Sequence, residues 1–238
     1  MIFKGVPTMK RTMNTIACIG LIAGLGTCAN AYTNTTLDLV IKNHMTLLSG
    51  DKAFSNFTFL STDFLASQVT VQYGDDVVDK DGNFGIRFQE GFLARSTAVD
   101  FGLVFNVTAT ASDKLISDAH LGIAGTARGN GSSATVSETV IPNLGNALGL
   151  DAFVAVDANG KKTFQYTDSA FLDIPSKSVM VLKDVLLDPG TASDGFASIS
   201  LISQYFSQTG TVPEPGSVAV MIGMGVSGTL LFMKRRKK

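Results

Sequence analysis

Between Thr97 and Ala109 the apolar side chains fall on every second residue: Val99, Phe101, Leu103, Phe105 and Val107, with Asp100, Gly102, Asn106 and Thr108 between them. Such alternation puts one face of an extended chain in a core and the other in water, so this stretch predicts a half-buried β-strand. Shorter apolar runs of the same kind lie at Leu37–Lys42, Phe54–Phe59, Val69–Tyr73, Phe84–Phe88, Leu115–Ile123, Ala134–Ile141, Thr163–Tyr166, Val179–Leu186 and Ala197–Phe206. Clusters of Gly, Asp, Asn and Ser separate them, the residues whose backbones and side chains suit turns. The pattern predicts an all-β ectodomain over residues 32–206, either a β-sandwich of jelly-roll type or a barrel. Pro142–Leu150 reads as a short helix or lid. Gly122–Ser133, GIAGTARGNGSS, reads as a flexible loop; no Lys-Ser/Thr follows it to open a helix over a phosphate.

Composition sharpens this picture. The 238 residues are 45% hydrophobic with a mean hydropathy of +0.25, high for a soluble protein, and the excess lies at the two ends. From Tyr32 to Val212 there are 19 acidic residues against 11 basic ones, a net −8, and 17 of the acids are Asp. Asp favours turns whereas Glu and Lys populate exposed helix faces, so the bias favours strands over helices. An acidic body also lacks the basic patch that nucleic acid would require, so no nucleic-acid partner is expected.

The N-terminus has the three parts of an export signal. Lys10 and Arg11 form a charged segment, Ile16–Leu25 an apolar core too short to span a bilayer, and Ala29-Asn30-Ala31 a small-residue cleavage site. Cleavage after Ala31 is expected, with Met9 as an alternative start of translation. Both cysteines, Cys18 and Cys28, precede that cut, which leaves the mature chain without disulfides, thiolate metal sites or a cysteine nucleophile.

At the other end, Pro213-Glu214-Pro215 precedes the 18 uncharged residues Gly216–Met233 and the cations Lys234, Arg235, Arg236, Lys237 and Lys238. As a helix the apolar run would reach about 27 Å, enough to cross a membrane, and the cations would stop transfer and stay in the cytoplasm. The two prolines impose an extended segment just before it. Val212-Pro213-Glu214-Pro215, the span and the basic ending together resemble the PEP-CTERM sorting signal of Gram-negative bacteria, over about the last 27 residues. The resemblance implies recognition by exosortase, a membrane cysteine peptidase, at Pro213, Glu214 and Pro215, with residues 207–215 as the linker. It implies an inner-membrane intermediate with a periplasmic body, then delivery to the cell surface or a matrix containing exopolysaccharide. It implies nothing about catalysis by the body. Ile116–Glu138 and Phe196–Thr211 are also loosely similar to bodies that carry such tails.

Within the body the chemical motifs are few. Asp79, Asp81 and Asn83 place oxygens at alternate positions, as a calcium loop would, but an Asp-Gly turn between strands needs the same residues; Asp157-Ala158-Asn159-Gly160 repeats the pattern with fewer acids. The turn is the expectation. His44 and His120 are the only histidines, G-x-S-x-G is absent, and His120, in Asp118-Ala119-His120, reads as an outward strand residue. With no Trp and four Tyr, a platform for stacking sugars is poorly supplied. No catalytic residue, cofactor or metal is therefore assigned. The sequence points to an exported, non-catalytic surface or matrix protein associated with exopolysaccharide, the alternative being an exported hydrolase of matrix glycans or esters.

Overall fold

The computed structural model describes residues 32–210. The cleavage site at Ala29 and Ala31, the motif Pro213–Pro215, the apolar span and the cations Lys234–Lys238 lie outside the described residues. In chain order the elements are β1 (Thr33–Thr36), α1 (Leu37–Lys42), β2 (Leu47–Ser49), β3 (Lys52–Ser61), β4 (Thr70–Tyr73), β5 (Gly85–Ala94), β6 (Val99–Ala109) and β7 (Lys114–Arg128). There follow β8 (Ser133–Pro142), β9 (Leu148–Val156), β10 (Lys162–Gln165), β11 (Thr167–Ser176), β12 (Ser178–Asp188), β13 (Phe196–Tyr205) and β14 (Gln208–Gly210).

Two antiparallel sheets result. One has the order β1-β4-β5-β13-β7-β11, with β14 also paired to β7; the other has the order β10-β9-β8-β12-β6-β3-β2. From β5 to β8 and again from β11 to β13 each successive strand changes sheet, so β5-β13-β7-β11 faces β6-β12-β8-β9. This is the strand order of a jelly roll. It leaves one core between the sheets, where Phe88 and Phe92 of β5 meet Phe105 and Phe101 of β6, at centroid distances of 5.7 and 4.5 Å. Tilted aromatic pairs of this kind add to the stabilisation from burial alone.

Two bulges set which residues face that core. In β3, Asn56 adopts φ +56° and the register slips between Ser55 and Thr58, so Phe54 and Phe57 both point inward. In β13 the register slips between Ile199 and Leu201. Ala197 and Ile199 face the core before the bulge; Ile202, Gln204 and Phe206 face it afterwards. An extra residue exchanges the two faces of the strand beyond it. Consequently Gln204 is buried, and Ser203 and Tyr205 lie on the outer face.

The structure corrects several local readings. Leu37–Lys42 is helical: Leu37 and Val40 are three residues apart and share one buried face, with Asp38 in the first turn and Lys42 in the last, as the helix dipole prefers. Most of Gly122–Ser133 belongs to β7. Gly122 and Gly125 are there because sheet neighbours press on them: a Cβ would sit 2.6 Å from Ser203 Oγ and 3.0 Å from Ser198 O, respectively. Pro142–Leu150 holds no helix; it is the end of β8, a turn in which Gly145 has φ +94°, and the start of β9. Finally, β14 carries the described body to Gly210, into the stretch read as linker.

Candidate functional site

The outer face of the first sheet carries a cleft of about 480 Å³. Register alone assembles its floor, because Tyr205 pairs with His120, Ser203 with Gly122, Ser169 with His120 and Thr167 with Gly122 across β13, β7 and β11. At Gly122 the missing side chain leaves the floor open, and Ser203 Oγ donates to the Gly122 carbonyl at 3.2 Å. One wall is the loop between Val78 and Phe84, which bridge to each other at its base. Arg87, on the same outer face, ties loop to floor: its Nε donates to the Tyr205 hydroxyl at 2.7 Å and its guanidinium to the Val78 carbonyl at 3.2 Å.

The sequence had singled out that loop for Asp79, Asp81 and Asn83. Asp79 Oδ1 accepts the backbone N–H groups of Asp81 (2.8 Å) and Asn83 (2.9 Å), and Oδ2 accepts the Asn83 amide at 2.9 Å. Burial works against the Asp79 carboxylate, but these hydrogen bonds outweigh it and hold its pKa below the usual range. Asp81 faces Lys80 at 2.6 Å. The second such turn has the same build with fewer acids: Asp157 Oδ1 accepts from the N–H groups of Asn159 and Lys161, both at 2.8 Å, and Gly160 has φ +80° where Gly82 has +82°. One conformation in both loops, with Oδ1 of the first Asp accepting two backbone N–H groups, is an Asx-type turn closed by the chain's own donors. Among the described residues no three His, Cys, Asp or Glu side chains are grouped to share a metal ion.

His120 lies on the outer face, as expected for an outward strand residue, but in company the sequence did not reveal. Its Nε2 is 3.0 Å from Asp118 Oδ1 and 3.2 Å from Ser207 Oγ, while the Ser207 N–H donates to the same Asp118 oxygen at 2.9 Å. A serine, a histidine and an aspartate thus meet. In an acyl-transfer triad the acid holds one ring nitrogen and the nucleophile the other, so that the free nitrogen can take the serine proton. Here both partners share Nε2, an arrangement that orients the ring and does not activate the hydroxyl. The Asp118 contact raises the His120 pKa against the effect of burial, with Asp79 and Asp81 adding to it. Burial opposes the Asp118 carboxylate, yet its bonds to His120 and Ser207 keep its pKa low. His44 follows α1 at φ +48° and does not line the cleft.

Beside Thr167 the chain passes from one sheet to the other. Gln165 is the last residue of β10, and the Tyr166 carbonyl already accepts the Ile123 N–H of the opposite sheet at 2.9 Å. Asp151 of β9 fastens this edge: its N–H donates to Asp168 Oδ2 (2.9 Å), and its carbonyl accepts from the Gln165 amide (3.0 Å). Phe164 and Tyr166 stack at 4.9 Å and 24°, and are 60% and 37% exposed. An exposed aromatic pair, one Phe and one Tyr, therefore stands beside the cleft.

No family model matches this chain, and no curated protein does. Among solved structures it is similar to TmCBM61 in complex with β-1,4-galactotriose, at 10% identity and a TM-score of 0.32, over 63% of this chain and 88% of that one. It is also similar to TmCBM27, a carbohydrate-binding module that recognises mannan, at 11% identity and a TM-score of 0.27, over 76% of this chain and 99% of that one.

Proposed function

We propose that this protein is an exported, non-catalytic surface or matrix protein that exosortase sorts through its PEP-CTERM tail, and that its sandwich binds exopolysaccharide in the cleft over Gly122 and Ser203. The cleft carries the reading. Hydroxyls of Thr167, Ser169, Ser203 and Tyr205 converge there with His120 and carboxylates, over a floor kept open by a glycine. Dense, fixed donors and acceptors suit a polyhydroxylated ligand, and the exposed Phe164–Tyr166 pair next to Thr167 offers apolar ring surface. The shared nitrogen of His120 argues against use of the Ser207 cluster in ester hydrolysis.

Co-sedimentation of the purified exported protein with exopolysaccharide from its producing host tests this reading. Saturable retention, competed by soluble oligosaccharides released from the same polymer, is expected, with no shortening of those oligosaccharides on prolonged incubation. Absence of retention removes the glycan-binding function; progressive shortening favours a hydrolase.

A further inference from the structure

Three polar side chains stand among hydrocarbon in the middle of the core. Glu138 of β8 and Lys183 of β12 are direct cross-strand partners, and both point between the sheets. Gln204 of β13 reaches them from the opposite sheet, turned inward by the bulge at Ser200. Their relative exposures are 3%, 3% and 0%. The Lys183 amine donates to Glu138 Oε2 and, at 2.6 Å, to the Gln204 carbonyl oxygen. Two groups remain over: Glu138 Oε1 and Gln204 Nε2 have no hydrogen-bond partner.

For stability alone this is an expensive arrangement, because desolvating both charges costs as much as their attraction returns, and apolar residues of similar size often serve as well. Unpaired buried polar atoms add to the cost and call for a chemical explanation. Burial pushes the Glu138 pKa up and the Lys183 pKa down, in spite of their mutual attraction. Both shifts favour the form in which the proton has passed from the ammonium to the carboxylate. That form holds a neutral amine, which is a nucleophile, a carboxylic acid, which is a proton donor, and a carboxamide in contact with the amine.

We propose that Lys183, Gln204 and Glu138 are a self-processing centre that joins the two sheets through an isopeptide bond between the Lys183 and Gln204 side chains. The Lys183 Nζ lone pair attacks Gln204 Cδ, one bond of about 1.2 Å from the oxygen it already contacts. The Glu138 carboxyl donates its proton to the carbonyl oxygen as the tetrahedral centre forms. On collapse the oxygen returns that proton and the C–Nε2 bond breaks. One hydrogen of the former amine passes by way of Glu138 to the departing nitrogen, which leaves as ammonia. One C–N bond is made and one is broken, nothing is oxidised or reduced, and Glu138 ends as it began. The neighbours two residues either side on each strand are Val136 and Val140, Val181 and Val185, and Ile202 and Phe206, all buried. They exclude the water that would otherwise hydrolyse the amide, and they hold the reactants at an effective concentration far above any in solution. A bond between β12 and β13 would tie one sheet covalently to the other in a body without cysteine.

Intact mass of the full chain after expression and folding is the test. The wild type is expected to be lighter than its sequence by one ammonia. After denaturation and trypsin it should yield a fragment that begins at Ser178 and reads uncut through Lys183, and tandem mass spectrometry should locate the link at Lys183 and Gln204. Glu138→Gln, which keeps the shape, and Lys183→Met should show no loss of ammonia, and Glu138→Gln should be cut after Lys183. A wild type of full mass that is cut after Lys183 overturns the proposal and leaves an ordinary buried ion pair. Unchanged loss of ammonia in Glu138→Gln overturns the role given to Glu138. Neither result bears on glycan binding.

Discussion

Replacing Gly122 by Ala adds one methyl to the floor of the cleft. The new Cβ would stand 2.6 Å from Ser203 Oγ, 3.8 Å from Thr167 Cγ2 and 3.9 Å from the Tyr166 carbonyl. Only the first contact is too close, and it falls on a rotatable hydroxyl. Ser203 must swing away and give up its bond to the Gly122 carbonyl, at a cost of about 1 kcal/mol, plus about 0.5–1.5 kcal/mol if no staggered rotamer is free. Alanine in a strand returns about 0.5–1 kcal/mol of the chain entropy that glycine loses. The net cost of about 1 kcal/mol lowers Tm by about 2–4 °C for a body of this size. Binding should suffer more. The methyl occupies ligand space and turns the Ser203 hydroxyl, so the loss of one or two hydrogen bonds weakens glycan affinity about tenfold. Thermal melts and isothermal titration with an oligosaccharide from the host polymer read the two effects separately. A variant that melts slightly lower but binds the sugar as tightly as wild type would refute the placement of the site over Gly122.

Three further outcomes follow from the same geometry. Raised in the folded state by Asp118, the pKa of His120 should contribute stability that is complete below the unfolded value of about 6.5 and lost as pH rises through the folded value. Asp118, depressed, contributes stability that is present above about pH 3.9 and lost as pH falls. Urea unfolding should therefore show a decline in stability above about pH 6.5 that His120→Gln abolishes, and an identical slope in both proteins would contradict it. The Asp79 turn should form without metal, so Tm should not change on adding millimolar calcium; a rise of several degrees that Asp81→Ala removes would show a cation site instead. Phe164→Ala should weaken glycan affinity while leaving Tm nearly unchanged, since the ring is 60% exposed; equal affinity would exclude the aromatic pair from the binding surface.

What the sequence disclosed depended on how local the cause was. The alternation in β6 is a property of consecutive residues, and the strand lies where the pattern put it. Both Asp-Gly and Asn-Gly turns were legible for the same reason, since Asp79 and Asp157 bond to their own next few residues. In α1 the apolar residues Leu37, Leu39, Val40 and Ile41 fit a strand's alternation as well as a helix's spacing, and six residues are too few to separate the two. The glycines of β7 read locally as flexibility, because their cause, the pressure of Ser203 and Ser198 in β13, lies far along the chain. The β13 bulge hid most: strict alternation from Ala197 and Ile199 would turn Ser203 and Tyr205 between the sheets and Gln204 away from them, whereas Gln204 lies in the core and Ser203 and Tyr205 line the outer cleft. The meeting of His120 with Ser207, separated by 87 residues, was likewise beyond any local pattern.

The proposed delivery of this body to the outside of the cell is tested directly by fractionating the producing host with an exosortase present and with it deleted. In the presence of the enzyme, the wild-type protein should co-purify with extracellular polysaccharide, with a mass that starts at Tyr32 and lacks the tail beyond Pro213-Glu214-Pro215. Without the enzyme, or with Glu214→Ala, it should stay in the inner membrane at a mass that retains Gly216–Lys238. Equal release of all forms, or a wild-type protein that keeps its tail in the matrix, would contradict sorting through Pro213-Glu214-Pro215.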